Sequence, residues 1–375
     1  MTLGSVVGNA LRQNLAAPLY HAAREQVAMA RYARRADSPA LSLGRRAWLW
    51  RRGFVPSADG LYDFETHSVD AYLSKRQHIR TGEINGHWRH LVENKLAGHW
   101  LLSPFEAERQ PVHGVVIDGR AFPADRVATE DGVEMTTPRV ANATPATEFV
   151  ADRIDEEGEI VLKPVFGGRG EGIDFASRED DSYRLNDELV TDREFRRRMS
   201  DLDGYLVAGF VEQAKYADAL YPDATNTVRV LTMHEDGEAF VAASIHRIGT
   251  AESAPADNCS QGGLTAAIDL ETGRLSEATT IDPTERPWFA SHPESDARIE
   301  GTTVPGWDRI RERVTAIAAD LPYLPYLGWD LVVTGEETFR VLELNNLVGV
   351  ESLQVHGPLL ADARVRRFYE RHGVC

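Results

Sequence analysis

The stretch Tyr326–Asn346, YLGWDLVVTGEETFRVLELNN, constrains the fold of this chain more than any other. Gly328–Thr334 and Thr338–Leu344 are rich in the β-branched and apolar residues that strands favour, and Gly335-Glu336-Glu337 between them suits a tight turn. Glu343 and Asn345 lie two apart, so their side chains leave one face of their strand. Folding at the turn brings Asp330 roughly opposite Glu343. Asp330, Glu343 and Asn345 then present hard oxygen donors to one place, which suits a Mg²⁺ ion whose shell is completed by water and phosphate. The alternative is a solvated hairpin with its polar residues outward. The apolar neighbours Trp329, Leu331, Val333, Val341, Leu342 and Leu344 favour the first reading, because acids among apolar side chains need a compensating partner.

A chain of 375 residues with 42% hydrophobic content can bury a large core divided between two or three lobes. It has no apolar run long enough to span a bilayer. The first thirty-five residues carry Arg12, Arg24, Arg31, Arg34 and Arg35 without a compact apolar region and cleavage site, so a cytoplasmic location is expected rather than export through a signal peptide. Cys259 and Cys375 form no metal or redox pattern. Fifty-eight acidic residues against forty-one basic ones give −17, which argues against general affinity for nucleic acid. Only four of the basic residues are lysines (Lys75, Lys95, Lys163 and Lys215). Such an acidic, lysine-poor composition fits a halophilic protein, and a GC-rich genome would also favour arginine. Either way, a retained lysine is a candidate for a role that needs a compact charge.

Residues 1–50 read as helices, Asp70–Arg80 as another, and Asn85–Leu102 has helical periodicity and holds Lys95. A basic amphipathic helix near the start can lie on a membrane or pack on the body, and packing is the expectation. After Pro104 the chain turns to short strands, with a polar Thr/Pro/Ala-rich passage at 128–148 that reads as a loop or inserted edge. The strand Glu159–Pro164 enters VFGGRGEG, whose Gly167, Gly168, Gly170 and Gly172 allow backbone N–H groups close to an anion, with Lys163 just before. This is not a Walker A loop. A helix is expected from about Thr191, a buried strand at Gly204–Val211, and an antiparallel pair Asn226–Met233 and Ala239–Ile248. Arg229 and Arg247 fall within that pair, where an arginine partners either an acid or an anionic ligand, and the ligand is favoured. Trp307–Leu321 is a helix whose apolar face carries Ile310, Val314, Ile317 and Leu321.

Taken in order, VENKLAGHWLL, LKPVFGGRGEG, YLVAGFVEQ, NTVRVLT, HRIG…DNCSQGG, LGWD and LELNN resemble the ATP-grasp superfamily over residues 90–360. NTVRV, DNCSQGG and the later Gln354…Pro358 are similar to its sugar-transfer-associated branch. The likeness to ribosomal-protein glutamate ligases and D-alanine–D-alanine ligases is more distant. The resemblance implies an α+β fold of two lobes clamping ATP behind a helix-rich N-terminal region: residues 1–90, a lid lobe at 91–207 and a metal-bearing lobe at 208–375.

It also implies roles. Lys95 and Lys163 would grip the α- and β-phosphates, and Gly167, Gly168, Gly170 and Gly172 would form a flap over the β- and γ-phosphates. Gly209, Phe210 and Val211 would line adenine, and Thr227 would approach the nucleotide. Arg229 and Arg247 would act on the transferred phosphoryl group, while Asp330, Glu343 and Asn345 would hold two Mg²⁺ ions, with Mn²⁺ as a substitute. Asn258 is a further contact to substrate or metal. The chain departs from many relatives in placing Ala208-Gly209 where they have Gln-Glu, which removes an acidic contact to the adenine amine. It also lacks the Pro-Gly often seen after the metal-binding asparagine. The expected reaction is carboxylate–amine ligation through an acyl-phosphate, on a small-molecule or glycan-linked carboxylate. The alternatives are phosphorylation of a hydroxyl group or a non-catalytic nucleotide-binding protein. No motif names the acid, the amine or the oligomeric state.

Overall fold

The computed structural model describes residues 23–34, 37–124, 126–129, 132–135, 143–168 and 172–375. Its contacts divide the chain into two compact units. The smaller comprises residues 1–84, 280–288 and 349–375, and the larger comprises 85–279 and 289–348.

In the smaller unit, residues 23–34 and Leu43–Arg51 are helical. The expected helix at Asp70–Arg80 is split into a 3₁₀ turn at Val69–Ala71 and a helix at Lys75–Thr81. The cause is local: Ser74 caps the second helix, and Ser74 with Gln77 forms a reciprocal capping box that fixes the start there. Leu49, Phe54, Ala58, Leu61, Tyr62 and Tyr72 form the core. The helix Val350–Gln354 joins this unit through Gln354, whose Oε1 accepts from the Leu73 N–H at 2.7 Å and whose Nε2 donates to the Leu73 carbonyl at 3.0 Å. Lys75 also pairs with Glu351.

The larger unit holds two large antiparallel sheets and a separate two-stranded hairpin. The first has eight strands in the spatial order Thr144–Pro145, Arg120–Pro123, Val112–Ile117, Tyr205–Gly209, Glu159–Pro164, Asp174–Glu179, Ser182–Leu185 and Glu188–Val190. Helices Ala146–Glu157 and Asp192–Ser200 supply Phe149, Val150, Ile154, Phe195 and Met199 to its core. In the second sheet, Leu275–Thr279, Leu264–Ile268, Glu238–Ile248, Val228–Glu235, Tyr326–Val333 and Phe339–Asn345 follow one another. Helix Trp307–Ala319 buries Trp307, Ile310, Val314 and Ile317 in the core of this sheet. The polar passage expected as a loop or inserted edge contains a hairpin, Arg126–Thr129 with Gly132–Met135, and the edge strand Thr144–Pro145. Mixed helices and antiparallel sheets behind a helix-rich N-terminal region are the architecture expected from the sequence.

Asn85–Leu102 is not one helix. A 3₁₀ turn at Gly86–Arg89 and a short helix at His90–Glu93 end at Asn94, whose backbone is extended. The Asn94 side chain then caps a new helix, Lys95–Leu101, by accepting from the Ala97 N–H. The break makes Lys95 the first residue of its helix, and its own N–H is free to bond the Val165 carbonyl at 3.0 Å.

Candidate functional site

The hairpin forms as its residue pattern requires. Strands Tyr326–Val333 and Phe339–Asn345 pair antiparallel with Asp330 opposite Glu343 and Gly328 opposite Asn345. Every residue of the first strand is buried. Gly328 keeps the approach to Asn345 open, since a Cβ there would sit 3.3 Å from the Asn345 Cβ and 2.7 Å from a Val348 methyl. A bulge follows Asp330.

The neighbouring strand brings Arg229 into register with Asp330. The two form a bidentate pair, Nε to Oδ1 at 2.8 Å and Nη2 to Oδ2 at 2.7 Å. Arg247 adds a contact to Asp330 Oδ2 at 3.3 Å and another to Asp257 Oδ1 at 3.2 Å. It also donates through Nε to the Thr227 hydroxyl at 2.9 Å. Asp257 in turn accepts from the Thr227 N–H at 2.7 Å and from its hydroxyl. Burial alone would raise the Asp330 pKa, but Arg229 and Arg247 reverse that and hold the carboxyl down at about 2. Burial would likewise lower Arg247, and Asp257 and Asp330 more than offset it. Asn345 helps to hold the Asp330 charge, although its buried Nδ2 meets no partner with full hydrogen-bond geometry.

On the other side of Glu343 stand both expected lysines. Lys95 Nζ lies 3.2 Å from Glu343 Oε1 and donates to the Gly167 carbonyl at 2.8 Å, tying the glycine loop to the hairpin. Lys163 Nζ donates to Gln110 Oε1 at 2.5 Å and to the Leu342 carbonyl at 3.1 Å. Burial pushes the Lys163 ammonium down to about 8, with Glu343 opposing the shift and Lys95 adding to it. Lys95, Gln110, Lys163, Leu342 and Glu343 line a cavity of about 30 Å³.

Asp330, Glu343, Asn345, Arg229, Arg247, Thr227, Lys95, Lys163 and Gly167 therefore join into one chain of contacts through the hairpin. Gly209 reaches it through Gln110, whose Nε2 donates to the Gly209 carbonyl at 2.8 Å, while the Gly209 N–H bonds the Pro111 carbonyl. Phe210 packs edge-on against Phe175, and Val211 is buried. A Cβ at Gly168 would meet open space, and Gly172 sits at a positive φ of 74° beside Tyr205 and Pro164. Gly170 lies outside the described residues. Asn258 caps a short 3₁₀ turn by accepting from the Ser260 N–H. Among the described residues no three His, Cys, Asp or Glu side chains gather as a metal cluster; the expected donor set here is two carboxylates and an amide.

Two residues of this network were not singled out by the sequence. Gln110 is buried and neutral, and its role is set by partners 53 and 99 positions away. Asp257 precedes Asn258 in the DNCSQGG loop; the intrastrand arginines left an acid or an anionic ligand open with the ligand favoured, whereas here Arg229 pairs with Asp330 and Arg247 with both Asp257 and Asp330.

No curated protein matches the chain by sequence. Several solved structures resemble it. An L-amino acid ligase from Bacillus licheniformis is 10% identical with a TM-score of 0.34, the match covering 70% of this chain and 42% of the ligase. D-alanyl-alanine synthetase A from Vibrio cholerae is 10% identical with a TM-score of 0.38, covering 75% and 66%. An ATP-grasp ligase, PsnB, complexed with Mg, ADP and a phosphomimetic variant of its minimal precursor is 14% identical with a TM-score of 0.36, covering 77% and 62%. The chain thus spans less than half the length of the first of these. Among the described residues no helix is long and apolar enough to cross a membrane. The model of the sugar-transfer associated ATP-grasp family matches residues 126–366, well over half of the chain, and the protein belongs to that family.

Proposed function

We propose that the protein uses ATP to activate a carboxylate as an acyl-phosphate, which an amine then attacks to give an amide, ADP and phosphate. One observation carries this reading. Each carboxylate assigned to the metal is paired with a basic residue assigned to phosphate: Glu343 with Lys95, and Asp330 with Arg229 and Arg247. The cavity beside Glu343 encloses about 30 Å³, far less than the roughly 300 Å³ or more of a small-ligand site. Opening the contacts of Lys95 with Gly167 and Glu343 would free the ammonium for phosphate and the carboxylate for a cation.

The donor set fits Mg²⁺. Asp330 is held ionised, and the Asn345 amide has a buried nitrogen without a full partner, so turning that amide over would direct its oxygen to the same place. Mg²⁺ held by Asp330, Glu343 and Asn345 would neutralise charge on the phosphoryl oxygens. Lys95 and Lys163 would grip the α- and β-phosphates, and the loop of Gly167, Gly168, Gly170 and Gly172 would cover them and exclude water. The Gly209-Phe210-Val211 segment would line adenine. Thr227 would steady Arg247 beside the nucleotide. Arg229 and Arg247, the catalytic pair of this proposal, would stabilise the negative charge that develops on the transferred phosphoryl group. In this reading residues 91–207 form the lid lobe and 208–375 carry the metal lobe. The substrate is a small-molecule or glycan-linked carboxylate handled in the cytoplasm.

The test is product identity, measured over pools of amino acids and glycan-derived acids in molar KCl. Ligation predicts ADP with stoichiometric free phosphate only when an acid and an amine are both present. A phosphorylated alcohol without free phosphate would establish a kinase instead. Nucleotide binding with no turnover on any pool would leave a binding protein.

A further inference from the structure

The charge of this protein is divided unequally between its two units. Residues 1–84, 280–288 and 349–375 carry seventeen Lys and Arg against twelve Asp and Glu, a formal +5. The remainder carries twenty-four against forty-six, a formal −22. A basic unit within a chain of net −17 needs a physical account, and the helix Leu43–Arg51 offers one.

That helix, LGRRAWLWR, turns its best-buried residue, Leu49, inward. Arg45 pairs with Asp59, and its guanidinium lies 4.3 Å above the Trp48 ring. The outward side is unusual. Leu43, Ala47 and Trp50 recur at the i, i+4, i+7 spacing of one helix face. Leu43 is 86% exposed, Ala47 is exposed, and Trp50 is half-buried. Arg46 and Arg51, both exposed, flank this apolar stripe on either side. With Ala33 and Pro56, the residues Arg46, Ala47, Trp50 and Arg51 line an open groove of about 540 Å³. The preceding helical residues repeat the composition, with exposed Val27 among exposed Arg24, Arg31 and Arg34.

An apolar stripe turned away from the core and bordered by arginines is the arrangement of a helix lying in a membrane interface, where the stripe enters the acyl boundary and the arginines meet anionic headgroups. A solvated basic face would not place leucine and tryptophan at its centre, and nucleic acid would not reward an exposed leucine. We propose that the helix Leu43–Arg51 is a peripheral docking face for an anionic lipid surface. The larger unit, at −22, is repelled by the same surface, so attachment is confined to the smaller unit.

The experiment is co-sedimentation of the full chain at low ionic strength with vesicles of phosphatidylcholine alone or mixed with phosphatidylglycerol. Binding is expected to the mixed vesicles and not to the neutral ones, and to weaken as salt is raised. Arg46→Glu with Arg51→Glu should lower the bound fraction at least about tenfold, and Leu43→Ser with Trp50→Ser should lower it with the arginines intact. Circular dichroism of the arginine variant, and of Leu43→Ser alone, should match the wild type, because Leu43, Arg46 and Arg51 are exposed, and Leu43→Ser alone should already lower binding. Equal binding to both vesicle types, no binding to either, or full binding by the arginine variant would overturn the proposal. A dimer in light scattering that Leu43→Ser dissolves, with no vesicle binding, would assign the face to a second copy instead.

Discussion

Arg229 clasps Asp330 through two parallel hydrogen bonds of 2.8 and 2.7 Å across neighbouring strands of the second sheet. With Arg247 at 3.3 Å, two guanidinium groups share one carboxylate that is largely removed from water. This arrangement makes the hairpin both a structural joint and the candidate site for metal and phosphate.

Asp330→Asn keeps the shape of the side chain and removes its charge, leaving both arginines partly buried without it. The loss of a buried ion pair's partner costs about 3 kcal/mol. The urea midpoint should fall accordingly, and turnover should disappear. An unchanged midpoint would mean that Arg247 falls back on Asp257 and that Arg229 finds solvent at no cost.

Gln110→Ala removes one of the two hydrogen-bond acceptors of Lys163 and the donor to the Gly209 carbonyl. A hydrogen bond to a charged group contributes about 1.5–3 kcal/mol, so the KM for ATP should rise about tenfold or more. The circular dichroism spectrum should not change. A wild-type KM would show that Leu342 alone keeps Lys163 in place.

The smaller unit should lose stability in acid through Glu351. Its burial would raise the carboxyl pKa, but Lys75 and then His78 hold it at about 2. Because the folded value lies below the ordinary 4.5, the stabilisation is complete above pH 4.5 and is lost as pH falls towards 2. The side chain keeps 27% exposure, so solvent screening reduces the contribution to about 1–2 kcal/mol. Thermal melts between pH 5 and 2 should slope more steeply for the wild type than for Glu351→Gln. Parallel slopes would remove Glu351 from the account.

The acidic composition of the larger unit leads to a salt prediction. Counter-ions screen repulsion among its carboxylates, so the melting temperature should climb as KCl is raised from low to molar concentration. A flat or falling profile would favour the genomic explanation of the arginine bias.

How much of this was legible beforehand follows from distance along the chain. Asp330, Glu343 and Asn345 are neighbours in a hairpin, and alternation with a three-residue turn places them almost by arithmetic. Lys95 and Lys163 stood out because lysine is scarce and because they lie in VENKLAGHWLL and LKPVFGGRGEG, Lys163 just before the glycine loop. Gln110 carried no such mark: an uncharged residue before a strand acquires its role only when Lys163 and Gly209 arrive from elsewhere. The break at Asn94 was hidden by helical periodicity on both sides, although an asparagine before a lysine-led apolar run is a capping signal. The partner of Arg229 could be foreseen as an acid or an anion, but choosing between them required the register of the sheet. In the smaller unit, Gln354 was noted as part of a resemblance, whereas its bonds to both backbone groups of Leu73 span 281 positions.

The central claim is that Glu343 stands between a cation of the protein and a cation brought with the nucleotide. It is tested most directly by calorimetric titration of ATP into the wild type and Glu343→Gln, each with and without Mg²⁺. The wild type should bind ATP more tightly with Mg²⁺ than without. Glu343→Gln should lose that gain while binding metal-free ATP at least as well, because Lys95 no longer has an acidic partner 3.2 Å away. A full Mg²⁺ gain in Glu343→Gln, or no nucleotide binding by the wild type, would contradict the account.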